Sequence, residues 1–240
     1  MNYTNIKYSF SSYVLKILNE CKRCFWLHCN AKIERPRCIS SLPLTGMHSK
    51  IKKHLDMYRG SIPNELKDKI NGVFMDDVSK LRKWRTWNEG LFYFDENLEV
   101  RVNSAIEDCI IKNEKYSPLD YTLIWGPLTE SENEKYFKVQ MDINAYLLEV
   151  NDYPISGDAY VIYYYPKNVE DNGIVKCDID IVKMHISLDT ARALINEAVY
   201  ILNGPIPEFS ETCECCSYVN ALNTTSIGNT KNHSTNLFLN

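Results

Sequence analysis

Two Cys-x-x-Cys pairs stand near opposite ends of the 240-residue chain, Cys21 with Cys24 and Cys213 with Cys216. Together they supply four thiolates, the usual set for a tetrahedral zinc ion or an iron–sulfur cluster. A site built from both pairs ties the N-terminal helix to the C-terminus. All four ligands then come from protein, no open position is left for a substrate, and the role is structural. The bland alternative is two unrelated pairs of reduced thiols. Cys215 is a spare neighbour of the second pair, and Cys29, Cys38, Cys109 and Cys177 are read as core or surface residues. Nine cysteines are an odd number, and in a reducing compartment they do not make a disulfide framework.

That compartment is expected to be the cytoplasm. No apolar run approaches the roughly 20 residues of a membrane span. The first thirty residues carry Lys7, Lys16, Glu20, Lys22 and Arg23 without the core of a signal peptide. With 45% hydrophobic residues the chain can bury one packed domain. Its net charge of −4 is unevenly spread: Met1 to Arg85 holds 17 Lys and Arg against 7 Asp and Glu, and the remainder holds 10 against 24. A basic surface on an acidic protein is the footprint of a phosphate-backbone partner, so DNA is the expected ligand, and the alternative is a set of solvated helix faces. The candidate phosphate-binding residues are Arg23, Lys50, Lys52, Lys53, Arg82, Lys83 and Arg85.

Apolar periodicity predicts a helix over Ser11 to Trp26, with Tyr13, Val14, Ile17 and Leu18 on one stripe, and a second from Met47 to Gly60. Ile33 to Leu44 reads as irregular, and Leu66 to Trp84 as an irregular helical segment. Strands follow at Phe92 to Phe94, Leu98 to Ile111 and Tyr116 to Ile124, with a hairpin turn near Asn113. Gln140 to Val150 is a predicted helix, Ala159 to Tyr165 and Ile174 to Ile186 are strands, and Leu188 to Leu202 is a closing helix stopped by Gly204 and Pro205. Asn220 to Asn240 has little to bury and reads as a flexible tail.

A hairpin that places one carboxylate on each of two adjacent strands suits a metal-dependent nuclease, because the acids converge on a magnesium or manganese ion. Glu107 and Asp120 fit that arrangement. The residue two positions after Asp120 shares its face, so a lysine there would lie beside the metal and stabilise the charge of the phosphorane.

The run Cys21-Lys-Arg-Cys-Phe-Trp-Leu27, Ser104-Ala-Ile-Glu107-Asp108, Pro118-Leu-Asp120-Tyr121, Gln140-Met-Asp142, Tyr164-Tyr-Pro166 and the closing Cys213-x-x-Cys216 together resemble the RecB-like PD-(D/E)XK nucleases, including those of CRISPR adaptation. The resemblance spans roughly Tyr8 to Tyr218. It implies an α/β, restriction-endonuclease-like mixed sheet flanked by helices, with an N-terminal helical segment and a C-terminal cysteine clamp. One domain over 1–218 is expected, comprising a basic helical part (1–90), a catalytic-type core (91–203) and the clamp (204–218), before a tail at 219–240. It also implies Glu107, Asp120 and Gln140 as catalytic residues, Glu107 and Asp120 as Mg or Mn ligands with His48 as a candidate third, and a 4Fe–4S cluster at the four cysteines, where spacing alone equally allows zinc.

The chain departs from the family pattern at three places. Gly-x-x-Asp reads Ser104 to Glu107, Gln-x-x-x-Tyr reads Gln140 to Asn144, and Asp-x-Lys reads Asp120-Tyr121-Thr122. Threonine carries no charge, and Tyr121 to Thr129 contains no Lys or Arg. The leading expectation is therefore a DNA-binding protein with a degenerate site, a non-catalytic subunit of a nucleic-acid-processing complex. The alternatives are an active Mg- or Mn-dependent DNA nuclease with a relocated lysine, such as Lys138 or Lys183, and a protein-interaction scaffold.

Overall fold

A computed structural model describes residues 6–35 and 44–224. Cys38, most of the irregular 33–44 segment and the end of the tail from 225 lie outside them. The architecture is mixed α/β. A three-stranded sheet of order β1-β4-β3 is made from β1 (Tyr8–Ser11), β3 (Leu91–Asp95) and β4 (Val100–Ser104). A five-stranded sheet of order β2-β5-β6-β7-β8 is made from β2 (Val73–Phe74), β5 (Asp108–Lys112), β6 (Lys115–Leu123), β7 (Asp158–Val169) and β8 (Val175–His185). In the larger sheet only β6 and β7 run parallel. That pair needs a crossover, and α5 (Glu130–Glu149) provides it.

Helix α5 lies between the two sheets and is buried on most of its circumference, as expected of a helix at the centre of a fold. Phe137, Met141 and Ala145 pack on Ala159, Val161 and Tyr163 of β7. Val139, Ile143 and Leu147 join the core formed with α1 (Ser12–Glu20), β4 and α6 (Leu188–Asn203). The helix starts ten residues before the predicted Gln140. A capping box fixes that start: Thr129 accepts the N–H of Glu132, and the Glu132 carboxylate accepts the N–H of Thr129.

The opposite face of the five-stranded sheet is covered by α3 (Leu44–Leu55) and the segment after it. Ile51, Leu55, Leu66, Ile70 and Phe74 pack there on Ile110, Leu119, Tyr121 and Ile162. Part of the expected irregular helix is in fact β2, which runs along β5. Gly72 makes this approach possible, since a Cβ on it would fall 2.5 Å from Ile110 Cγ2. Only α4 (Val78–Trp84) is regular helix in this stretch.

The structure divides two segments that the sequence pattern joins. The first helix breaks at Cys21, whose extended backbone ends α1 and caps α2 (Lys22–Asn30) by accepting the N–H of Cys24 on its sulfur. The predicted strand Leu98 to Ile111 is two strands, β4 and β5, which belong to different sheets. At the other end of β5, Asn113 and Glu114 both have positive φ, the two-residue turn that matches strand twist in a hairpin. The expected tail is helical as far as Thr224 in α7 (Glu214–Thr224). No helix among the described residues is long and apolar enough to cross a membrane.

A buried ion cluster joins these layers. Asp108, with no exposed surface, accepts from Arg59 Nη1 and Nη2 at 2.7 and 2.6 Å and from Arg85 Nη2 at 3.3 Å. Asp56 accepts from both arginines as well. Asp108→Ala leaves two buried guanidiniums short of a counter-ion, and its expected cost is about 3–5 kcal/mol. The readout is a lower urea midpoint at unchanged m-value, and a loss below about 1 kcal/mol would show that the cluster is not the anchor described.

Candidate functional site

The four cysteines of the two pairs are buried and meet. Cys21 and Cys216 sulfurs lie 3.6 Å apart, Cys24 and Cys213 lie 3.6 Å apart, and Cys24 and Cys216 lie 3.9 Å apart. All four lie within 4.8 Å of one another, close enough to hold a metal ion. The same local design supplies both halves, with the first cysteine immediately before a helix (α2 or α7) and the second in that helix's first turn. A helix N-terminus presents N–H groups and the positive end of its dipole, which favour thiolate. Burial opposes ionisation of Cys213, but the Cys216 N–H and hydrogen bonds from the neighbouring thiols outweigh it and bring Cys213 down to about 7. Burial pushes Cys24 up. Arg35 reaches Cys213 at 3.9 Å and pairs with Glu20.

Glu107 stands one residue before β5 and Asp120 one residue after Leu119, the partner of Asp108, and the charge of Glu107 acts on Asp120. Gln140, in the middle of α5, donates from Nε2 to Asp120 Oδ2 at 2.9 Å, and the Tyr121 N–H holds Oδ1 at 2.9 Å. Tyr121 Oη donates to Glu107 Oε2 at 3.1 Å, and Lys52 stands 3.9 Å from the same oxygen. Burial first, then the charge of Glu107, push the Asp120 carboxyl up to about 7 against the two hydrogen bonds. Among the described residues no Lys or Arg is bonded to Asp120.

The alternation of β6 puts Asp120 and Thr122 on one face and Tyr121 on the other. Asp108, one place beyond Glu107, is spent on Arg59 and Arg85. His48 stacks on the Tyr121 ring, with centroids 4.8 Å apart, and does not join the carboxylates. Among the described residues the cysteines are the only group of three or more metal-ligating side chains that converge. The carboxylates offer oxygen donors from two residues. Asn144, at the tyrosine position of the helix motif, is buried, and its Oδ1 has no partner among the described residues.

A cavity of about 570 Å³ opens on the Asp120 face, lined by Lys16, Asp120, Thr122, Trp125, Tyr136 and Gln140. Trp125 on its rim is 80% exposed. Lys16, absent from the candidates read in the sequence, enters from α1. Its Nζ donates to the Tyr136 carbonyl at 3.0 Å and lies 5.6 Å from the centroid of that ring. Burial lowers the Lys16 pKa, partly offset by Glu20 and Asp120. Neither expected replacement lysine is there: Lys138 is bound to buried Asp142 at 2.6 Å, and Lys183 pairs with Asp158 at 2.8 Å.

The candidate phosphate-binding residues divide. Arg23 donates to the Pro207 carbonyl and Arg85 to the Glu107 carbonyl and the two aspartates, so both are engaged inside the fold. Lys50, Lys53, Arg82 and Lys83 are exposed, and Lys52 is half-buried beside Glu107.

A scan against models of known protein families found no match, and neither did a search of curated proteins.

If one metal joins the clamp, either half is useless alone. Cys24→Ala and Cys213→Ala are each expected to cost at least about 2 kcal/mol, or about 4–8 °C in thermal midpoint. The double variant is expected to fall well short of the sum, because each single change already breaks the same site. Additive losses in thermal unfolding would contradict a shared ion.

Proposed function

We propose that this chain is a metal-dependent phosphodiesterase of the RecB-like PD-(D/E)XK type that acts on DNA, with a structural zinc clamp. The observation that carries the reading is Gln140 bonded to Asp120 beside an open cavity, with Glu107 near enough for its charge to act on Asp120.

Oxygen donors from two carboxylates suit Mg²⁺ or Mn²⁺, which commonly bind one or two acids and take their remaining ligands from water and substrate phosphate. A third protein ligand is therefore not required, and His48 has no necessary place in the metal shell. An ion held there would polarise the phosphoryl group and lower the pKa of an attacking water. The protein's part is orientation. Gln140 and the Tyr121 N–H fix the two oxygens of Asp120, and the Tyr121 hydroxyl fixes Glu107. Lys50, Lys53, Arg82 and Lys83 supply exposed positive charge for the DNA backbone.

For the clamp, the sulfur separations favour a single ion. A tetrahedron with Zn–S bonds of about 2.3 Å has edges of about 3.8 Å, and the three closest pairs here lie at 3.6, 3.6 and 3.9 Å. A 4Fe–4S cluster interposes four irons and four sulfides between its thiolates and spreads them further. Protein purified without oxygen is expected to carry one zinc per chain and to be colourless. A brown protein with four irons per chain would overturn the zinc assignment.

Binding without cleavage is the second reading, favoured by Thr122 at the position of the family's lysine. Labelled single- and double-stranded DNA incubated with Mn²⁺ or Mg²⁺ separates the two. Cleavage by wild type, reduced at least about 100-fold in Asp120→Ala, is expected for the hydrolase. Salt-dependent binding by a wild type that does not cut would leave only a DNA-binding subunit. Neither binding nor cutting would leave a scaffold.

A further inference from the structure

We propose that Lys16 of α1 supplies the positive charge that the β6 strand lacks at Thr122, and acts as a catalytic residue on the scissile phosphate. This assignment rests on the hydrolase reading above. Lys16, Thr122, Asp120 and Gln140 line one cavity. A threonine two places after Asp120 is short and uncharged, so that part of the wall is left to a side chain from elsewhere, and Lys16 is the lysine that lines it.

Lys135 is exposed beside the Tyr136 ring and does not line the cavity, and the remaining cations nearby are committed. Arg59 and Arg85 are bonded to Asp108, Lys138 to Asp142, and Lys183 to Asp158. Lys52 lies on the α3 side, against Glu107, and does not line the cavity. Lys16 is held but not used up. An ammonium has three N–H donors, and one of them is on the Tyr136 carbonyl. The ring of Tyr136 flanks it, and two donors remain for phosphoryl oxygens.

In hydrolysis the water oxygen forms a bond to phosphorus and releases a proton to solvent. The bond to the leaving oxygen breaks with its electron pair remaining on that oxygen, which takes a proton from water. Between these events the non-bridging oxygens gain negative charge. A fixed ammonium beside them stabilises that state more than the substrate, and it stays protonated throughout.

The test is a set of variants assayed for Mn²⁺-dependent cleavage, Mn²⁺ affinity, DNA affinity and thermal midpoint. Lys16→Met keeps the aliphatic stem and removes the charge. It is expected to lower kcat about 100-fold or more, with Mn²⁺ affinity and thermal midpoint close to wild type. Thr122→Lys on the Lys16→Met background is expected to restore at least about a tenth of the lost rate, a rescue that a merely structural role for Lys16 would not produce. Wild-type rates in Lys16→Met, or a loss that Thr122→Lys leaves untouched, would overturn the assignment while leaving the hydrolase standing. A wild type that does not cut overturns the hydrolase and this assignment together.

Discussion

The buried carboxylate of Asp108 decides where the rest of the candidate site sits. Taking a charge out of water is costly, and burial pushes the Asp108 carboxyl up even though two guanidiniums bonded to it offset part of the cost, Arg59 following α3 and Arg85 ending α4. Arg85 also donates from Nε to the Glu107 carbonyl at 2.6 Å. One cluster thereby fixes the start of β5, the end of α3 and the backbone of Glu107. It also absorbs part of the positive charge of the N-terminal region, so the excess of Lys and Arg there is not all surface.

The clamp and the cavity are linked through α1. Lys16 lies on that helix one turn before Cys21, where the helix ends and the chain turns into α2. Beyond it, Trp26 and Asn30 donate to the carbonyls of Gly204 and Leu202, orphan acceptors at the end of α6. Cys213 and Cys216 then close the ring of contacts from α7. A metal at the four cysteines would then serve the proposed chemistry without touching it, by holding the helix from which Lys16 enters the cavity.

Much of the fold was legible because it follows local pattern. The Asn113 turn and the β7, β8 and α6 segments lie where alternation and capping place them. The misses have physical causes. The first half of α5 carries Glu130, Glu132, Glu134, Lys135 and Lys138, a charge density that hides its apolar face, although Thr129 and Glu132 formed a capping signal that could have been read. The break at Cys21 has no Gly or Pro to announce it, and neither does the passage from β4 to β5. In the site, the convergence of the four cysteines was readable from spacing, and Asp120 with Gln140 from the motif order. Lys16 was not, because it shares a face of α1 with Tyr13 and Glu20 and looks like solvated surface; only the packing of α1 against α5 turns it inward. The engagement of Arg23 and Arg85 inside the fold depends on the same long-range contacts.

The central proposal is that a divalent ion draws Glu107, held by Tyr121 in this structure, and Asp120 together at the edge of the cavity that Lys16 enters. Anomalous diffraction from crystals of the protein soaked in Mn²⁺ tests it directly. The account predicts a single strong peak at bonding distance from a carboxylate oxygen of each residue, absent in Asp120→Ala crystals. No peak there, with Glu107 still bonded to Tyr121 and Asp120 still bonded to Gln140, would contradict it.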